Sequence, residues 1–301
     1  MNSIKKILYG LIKKNRHLPQ EFYARIFYEY YHGEKLDLKN PKNFAEKIQW
    51  LKVYYHLPIL NQFVDKYAVR SYVKEKIGEG YLNEIYAVYD HPNQVDYDKL
   101  PEQFVLKGTH GSNMNIIVKS KKGLNKNRNK LRMFKWMSKN LYYAGGQEWA
   151  YKDVTHRIIA EKYLDPKAGE LLDYKIHCFS GTAKFIQVDS VFENVKTNTC
   201  YDLDWNKMEL KQNGRNVNPG IIERPDKLEE MIEIANKLAD SHPFVRVDLY
   251  NLDGKIIFGE LTLYPRDARI KYEPEAYDKI IGSYINLPKI PSGAKEITSV
   301  S

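Results

Sequence analysis

Arg246 and Asp248 alternate with Val245, Val247 and Leu249, so a strand there carries the guanidinium and the carboxylate on one face and the aliphatic side chains on the other. Further on, Glu260 and Thr262 share a face in the same way. Asp253-Gly254 between the two runs is a tight-turn signal, and a hairpin closed there brings Asp248 near Glu260. Two carboxylates that converge either raise the pKa of one of them or hold a hard cation, for which Mg²⁺ on a substrate's phosphates is the economical occupant. The alternative is a surface sheet whose outer face is charged.

Lys107 ends the apolar run Phe104-Val105-Leu106 and is followed by Gly108, Gly111 and Ser112. A flexible loop of this kind folds backbone N–H groups over phosphates while the ammonium neutralises them, although glycine-rich hairpin tips also serve simply as turns. A third group is Glu161-Lys162-Tyr163-Leu164 with Asp173. A strand leaving through such residues offers backbone donors and acceptors to a base edge and an aromatic wall to its face, and a nearby carboxylate takes ribose hydroxyls. The run reads equally as an ordinary strand end. Asp202-Leu203-Asp204 is formally a DxD, the pattern that holds a divalent cation against a nucleotide-sugar diphosphate, in a chain with 38 acidic residues that makes such triplets common.

The elements that must position these residues follow from periodicity. Helices are expected over residues 45–53, 65–77, 127–140 and, from the apolar positions Leu228, Met231, Ile232, Ala235, Leu238 and Ala239, over 225–240 with Pro225 in the first turn. Strands are expected over 104–107 and 115–118, joined as a hairpin, over 157–161, 174–179 and 183–191, and over 244–250 paired with 255–263. Residues 90–101, with Pro92 and Pro101, read as a linker.

Composition narrows the function classes. With 43% hydrophobic residues and 301 residues in all, the chain is folded rather than disordered and long enough for lobes around a cleft. Its two cysteines, Cys178 and Cys200, make neither a disulfide framework nor a zinc site, which points to a reducing, cytoplasmic setting. No apolar stretch is long enough to span a bilayer, and Lys13, Lys14, Asn15 and Arg16 cut short the opening apolar run, so no signal peptide is expected. That opening, Met1 to Lys14, mixes apolar and basic residues at helical spacing; it suits either a helix packed on the body or one lying on an anionic membrane face. The net charge of +9 is scattered, and no nucleic-acid-binding motif is present, so no nucleic-acid partner is expected. The densest basic stretch, Lys119 to Arg132, reads as a solvated loop and helix start ahead of a nucleic-acid site, with attraction of a polyanionic nucleotide or an acidic glycan between the two.

Taken in order, Asp65-Lys66, Val105-Leu106-Lys107, Ala160-Glu161-Lys162-Tyr163-Leu164, Asp173-Tyr174-Lys175, Arg246-Val247-Asp248 and Glu260 resemble the ATP-grasp superfamily, whose D-alanine–D-alanine ligases show the same succession. Pro41 to Lys47, Asp65 to Arg70, Ile159 to Leu164, Asp173 to Phe179 and Gly259 to Pro265 are similar to the TupA-like ATP-grasp proteins of bacterial capsule and teichuronopeptide gene clusters. The resemblance runs from about Pro41 to Pro288. It implies an α+β fold of two lobes clasping a nucleotide behind an N-terminal helical extension. The corresponding division is 1–60 for the extension, 61–100 for a linking region, 101–164 and 165–288 for the two lobes, and 289–301 for a tail.

The resemblance also implies ATP and Mg²⁺ as cofactors. Lys66 and Lys107 would contact phosphates beneath the loop of Gly108, Gly111 and Ser112; Glu161, Lys162, Tyr163 and Leu164 would hold adenine; Asp173, with Lys175 beside it, would hold ribose. Asp248 and Glu260 would bind the metal, with Thr262 where the superfamily usually has Asn, and Arg246 would stabilise the phosphoryl group in transfer. The implied reaction joins a carboxylate to an amine through an acyl phosphate, on a small-molecule or acidic, lipid-linked glycan acceptor, with peripheral contact at the inner membrane surface. Arg266-Asp267-Ala268-Arg269-Ile270 replaces the small, glycine-rich turn expected after Pro265. A glycosyltransferase using Asp202 and Asp204, and a non-catalytic assembly protein that keeps the fold, are the alternatives.

Overall fold

The computed structural model describes residues 3–15, 17–166 and 170–299; Met1, Asn2 and Arg16 of the basic opening and Val300 and Ser301 of the tail lie outside them. Helices α1 (Ser3–Ile12), α2 (Gln20–His32), α3 (Phe44–Tyr54), α4 (Ile59–Val64) and α5 (Val69–Ile77) come first. Helix α3 starts where Asn43 and Glu46 cap reciprocally: the Asn43 side chain accepts from the Glu46 N–H at 2.9 Å, and the Glu46 carboxylate accepts from the Asn43 N–H at 3.1 Å. Helix α5 begins four residues later than periodicity suggests. The Asp65 carboxylate accepts from the N–H groups of Tyr67 (2.8 Å) and Ala68 (3.2 Å), which holds residues 65–68 in a turn and leaves Lys66 outside the helix.

A four-stranded sheet follows, built from β1 (Ile85–Tyr89), β2 (Phe104–Gly108), β3 (Asn115–Val118) and β4 (Ile158–Lys162), with α6 (Lys126–Met137) and the one-turn α7 (Leu141–Ala144) between β3 and β4. All its neighbours are antiparallel, in the order β1-β4-β2-β3. Strand β1 falls just before the expected linker and went unforeseen, because its Ile-Tyr-Ala-Val-Tyr run has no clean alternation. Leu106, Phe104, Ile116, Ile158 and Ala160 pack against Met133 and Trp136 of α6 in a small separate core. The period of two then turns Val105, Lys107, Ile159 and Glu161 to the opposite face.

The larger sheet contains β5 (Asp173–Phe179), β6 (Thr182–Phe192), β7 (Val195–Tyr201), β9 (Val245–Leu252) and β10 (Lys255–Thr262), in the order β10-β9-β5-β6-β7. Before β9 come the short β8 (Lys211–Gln212) and helix α8 (Leu228–Ala239), and after β10 come β11 (Tyr272–Glu273), which pairs with β8, and α9 (Ala276–Tyr284). Helix α8 buries Leu228, Met231, Ile234, Ala235, Leu238 and Ala239. Pro225 lies before it rather than within it; its carbonyl accepts from the Leu228 N–H at 3.1 Å, in the turn that starts the helix. The face of the sheet bearing Val245, Val247 and Leu249 shares one apolar core with α8, and α3 to α5 belong to the same core through Ile48, Leu51, Phe63 and Val73. Among the described residues no helix is long and apolar enough to cross a membrane.

Candidate active site

The face of the large sheet that α8 does not cover carries rows of mostly polar side chains set by strand register. Glu260, Asp248, Lys175 and Gln187 are successive cross-strand partners, and Ile257, Tyr250, Asp173, Asp189 and Asn198 form the row beside them. The β9–β10 register shifts at the site itself, as the β5–β6 register does further along, between His177 and Cys178. Counted from the Asp253-Gly254 turn, Asp248 would pair with Gly259 and Glu260 would point to the core, but a bulge between Phe258 and Glu260 shifts the ladder by one and puts Glu260 opposite Asp248. Gly259 permits this: a β-carbon there would lie 2.9 Å from the Asp248 carbonyl oxygen and 3.2 Å from the Tyr250 ring.

Arg246 grips Asp248 with two parallel hydrogen bonds, Nε to Oδ1 at 2.7 Å and an Nη to Oδ2 at 2.6 Å, and the same Nη donates to the Thr262 hydroxyl at 2.9 Å. Lys175 lies among three carboxylates: it is paired with Asp173, 3.2 Å from Asp189 and 3.6 Å from Asp248. Burial pushes the Asp248 carboxyl up to about 6, with Arg246 and Lys175 opposing and Asp173 adding to the rise. Burial also raises Glu260, but Lys66 and Arg246 outweigh it and bring that carboxyl down to about 2. The two facing carboxylates are therefore driven apart in acidity. Burial likewise raises Asp173 against the pull of Lys175, and its Oδ1 is buried without a hydrogen-bond partner.

The smaller sheet contributes two more ion pairs. Lys107 Nζ lies 2.6 Å from Glu161 Oε2. Lys66 reaches both lobes, 3.1 Å from Glu260 Oε2 and 3.2 Å from the Gly111 carbonyl. Tyr250 sits where the lobes meet: burial, then the charges of Asp173, Glu260, Asp248 and Glu161, push its hydroxyl well above its ordinary range. Residues far apart in the chain, Lys66, Lys107, Glu161, Asp173, Lys175, Arg246, Asp248, Glu260 and Thr262, are thus drawn into one region.

The glycine loop after Lys107 is pinned more firmly than a flexible flap. His110 is buried, stacked at 3.8 Å on His156, with its Nε2 2.9 Å from the Trp136 carbonyl. The Gly108 N–H donates to the Met114 carbonyl at 2.9 Å, a β-carbon at Gly108 or Gly111 would lie within about 3.0 Å of the Met114 side chain, and only Ser112 and Asn113 at the tip are exposed. Lys162 and Leu164 line a cavity of about 730 Å³ together with Tyr67, Arg70, Leu252 and Ile257. The cavity adjoins the charged face at Ile257, the cross-strand partner of Tyr250. Tyr163 lies outside the cavity, with Lys119 5.5 Å over its ring.

Asp202 and Asp204 stand apart. The Asp202 carboxylate accepts from the N–H groups of Asp204 (3.0 Å) and Asn206 (2.7 Å) and from the Asn206 side chain, so it is spent on closing a turn.

Three consecutive residues after Pro265, namely Arg266, Asp267 and Ala268, take left-handed backbone angles with φ of 50°, 58° and 54°. The turn is held from within. Asp267 enters a buried pocket to meet Lys52 of α3 at 2.6 Å, and the Ala268 carbonyl lies 2.9 Å from His32 Nε2. Arg266 and Arg269 remain exposed on its outside, as is Arg215. Burial, then the charges of Arg215 and Arg269, lower the Arg266 pKa, and none of the three arginines makes an ion pair among the described residues.

The site is chemically suited to a nucleotide and a hard cation. Among the described residues no group of three or more His, Cys, Asp or Glu is arranged to hold a metal alone. Asp248 and Glu260 suit Mg²⁺, which commonly takes one or two carboxylates and completes its shell with phosphate and water. The orphaned Asp173 Oδ1 suits a hydroxyl donor.

Residues 46–286 match the model of a family described as TupA-like ATPgrasp. No curated protein matches the sequence. Among solved structures, the chain is similar to D-alanine–D-alanine ligase from Bacillus anthracis (16% identity, covering 68% of this chain and 59% of that one, TM-score 0.42) and from Helicobacter pylori (15%, 76% and 60%, TM-score 0.43). It is also similar to phosphoribosylamine–glycine ligase from Thermotoga maritima (14% identity, 68% and 48%, TM-score 0.38). The chain spans less than two thirds of the length of each.

Proposed function

The chain belongs to the TupA-like ATP-grasp family, and from that premise we propose that it is an ATP- and Mg²⁺-dependent ligase joining a carboxylate to an amine in the assembly of a cell-surface polysaccharide. The observation that carries the reading is the facing pair Asp248 and Glu260, brought together by the Gly259 bulge and ringed by Arg246, Lys66 and Lys175. ATP with Mg²⁺ supplies the phosphoryl group that activates the carboxylate. Asp248 and Glu260 would hold the cation, with Thr262 fixing Arg246 through its hydroxyl rather than acting as a strong ligand.

Lys66 and Lys107 would exchange their present glutamate partners for phosphate oxygens, and Arg246 would stabilise charge that develops on the phosphoryl group. Asp173 would accept from ribose, with Lys175 holding its other oxygen, and the cavity beside Lys162 and Leu164 would take the base. The γ-phosphoryl group of ATP would pass to the substrate carboxylate, leaving ADP, and the amine would then replace phosphate at the acyl carbon, giving the amide and inorganic phosphate, with the amine's proton released to phosphate or solvent. No nucleophile from the protein is required.

The unpaired arginines at positions 215, 266 and 269 support an acidic acceptor, such as a uronic-acid glycan, and a lipid-linked form of it would bring the enzyme to a membrane surface. The test is coupled turnover: ADP and phosphate should appear together only when an acid and an amine are both supplied, screened as uronic-acid glycans against amino acids. Equal ATP hydrolysis with or without either substrate would overturn the reading. The turn-bound Asp202 gives the DxD no support.

A further inference from the structure

Helix α1 is mounted with its apolar face outward. Its residues Ile4, Ile7, Leu8 and Leu11 follow the i, i+3, i+4, i+7 spacing of one helical face, and their exposures are 76%, 67%, 51% and 60%. A helix of a globular protein ordinarily turns that stripe to the core. Here the polar side docks instead: Lys5 pairs with Glu29 of α2, the Tyr9 hydroxyl donates to Glu29 at 3.2 Å, and Lys13 Nζ lies 3.8 Å above the Tyr30 ring. Charge-assisted contacts thus hold the helix in an orientation that leaves the aliphatic stripe in solvent. Lys6 and Lys14, both exposed, make no ion pair among the described residues.

We propose that α1 lies flat on an anionic lipid bilayer, with Ile4, Ile7, Leu8 and Leu11 in the acyl boundary and Lys6 and Lys14 on acidic headgroups. Ten residues at about 1.5 Å each reach roughly half of a hydrocarbon core, so the helix rests on the membrane rather than crossing it. An apolar stripe beside uncompensated lysines is the chemistry of an interfacial helix. A second copy of the chain fits less well: like positive charges would meet, and four aliphatic side chains cover far less than the roughly 800 Å² per partner of a stable protein interface.

The placement also orients the molecule. The Tyr31 ring lies between Lys13, 4.6 Å away, and Arg269, 5.2 Å away, so α1 stands beside the arginine-bearing turn after β10.

The test is flotation of the full-length protein with vesicles of phosphatidylglycerol and phosphatidylethanolamine, compared with pure phosphatidylcholine. It is independent of any ligase activity. The expected result is at least tenfold stronger recovery on the anionic vesicles, weakened by salt. A Leu8→Asp/Leu11→Asp variant should lose that binding at least tenfold with an unchanged melting temperature, and Lys6→Glu/Lys14→Glu should lose part of it along with much of the salt dependence. Failure of the wild-type protein to float on anionic vesicles, unchanged flotation of the Leu8→Asp/Leu11→Asp variant, or a stable dimer that this variant dissolves would overturn the proposal.

Discussion

The Lys66 ammonium lies 3.1 Å from Glu260 Oε2 and 3.2 Å from the Gly111 carbonyl, so one cation links the glycine loop of the small sheet to a carboxylate of the large one. Because the Glu260 side chain is 41% exposed, the pair is screened by water and adds little to stability. On the proposed reading its value lies in exchange, with phosphate taking over Lys66 while a cation takes over Glu260. Glu260→Gln is therefore expected to weaken Mg²⁺-dependent ATP binding at least tenfold in calorimetric titrations while leaving the melting temperature nearly unchanged. A large loss of stability with intact binding would assign the pair to the fold instead.

Asp173 offers a narrower test. Its Oδ1 lacks a partner and its other oxygen is held by Lys175, which fits a carboxylate aimed at a ribose hydroxyl. A hydrogen bond to a charged group contributes about 1.5–3 kcal/mol. Asp173→Asn should accordingly reduce ATP affinity by about tenfold or more and erase any preference for ATP over its deoxyribose analogue. Competition binding measures both, and an unchanged preference would move the ribose elsewhere.

The pH dependence of binding should follow Asp248. A cation needs the ionised carboxylate, and burial, opposed by Arg246 and Lys175, holds this group near 6, whereas Glu260 stays ionised down to about 2. Mg²⁺-dependent nucleotide binding should therefore be full above about pH 7 and fall as pH drops through about 6. With Asp248→Asn this limb should disappear together with most of the affinity.

A stability prediction concerns the buried cluster under the left-handed turn. Burial, then the charge of Asp267, raises Glu148 from its ordinary 4.5 to about 8. As pH climbs from about 4.5 to about 8 the unfolded chain releases this proton first, so folding stability declines across that window. Glu148→Gln should raise the melting temperature at pH 8 and do so progressively less toward pH 5. Lys52→Met should do the reverse: it leaves Asp267 buried without its cation and costs about 3–5 kcal/mol in denaturant titrations.

Much of the candidate site's arrangement is legible in the residues, and what is not has identifiable causes. The alternation of Arg246 and Asp248 and the Asp253-Gly254 turn give the hairpin. Parity alone, however, sends Glu260 to the core, and only a bulge at Gly259 returns it to Asp248. A lone glycine in a strand is the available hint. The late start of α5 has a similar origin, since Asp65 spends its carboxylate on a turn that continued periodicity conceals. Asp189 and Tyr250 escaped notice although each extends a polar face by the period of two, Gln187 to Asp189 and Asp248 to Tyr250. The outward mounting of α1 depends on which face Glu29 and Tyr30 of α2 attract, a tertiary choice that the amphipathic pattern leaves open.

Calorimetric titration of the wild-type protein with ATP·Mg²⁺ and with nucleotide-sugars, repeated on Lys107→Ala, Glu260→Gln and Asp204→Ala, bears most directly on whether this face is a nucleotide site. ATP should bind only with Mg²⁺, binding should fall at least tenfold in the first two variants, and Asp204→Ala should behave as wild type. Preference for a nucleotide-sugar, lost in Asp204→Ala and kept in the other two, would show that the chemistry lies elsewhere in the molecule.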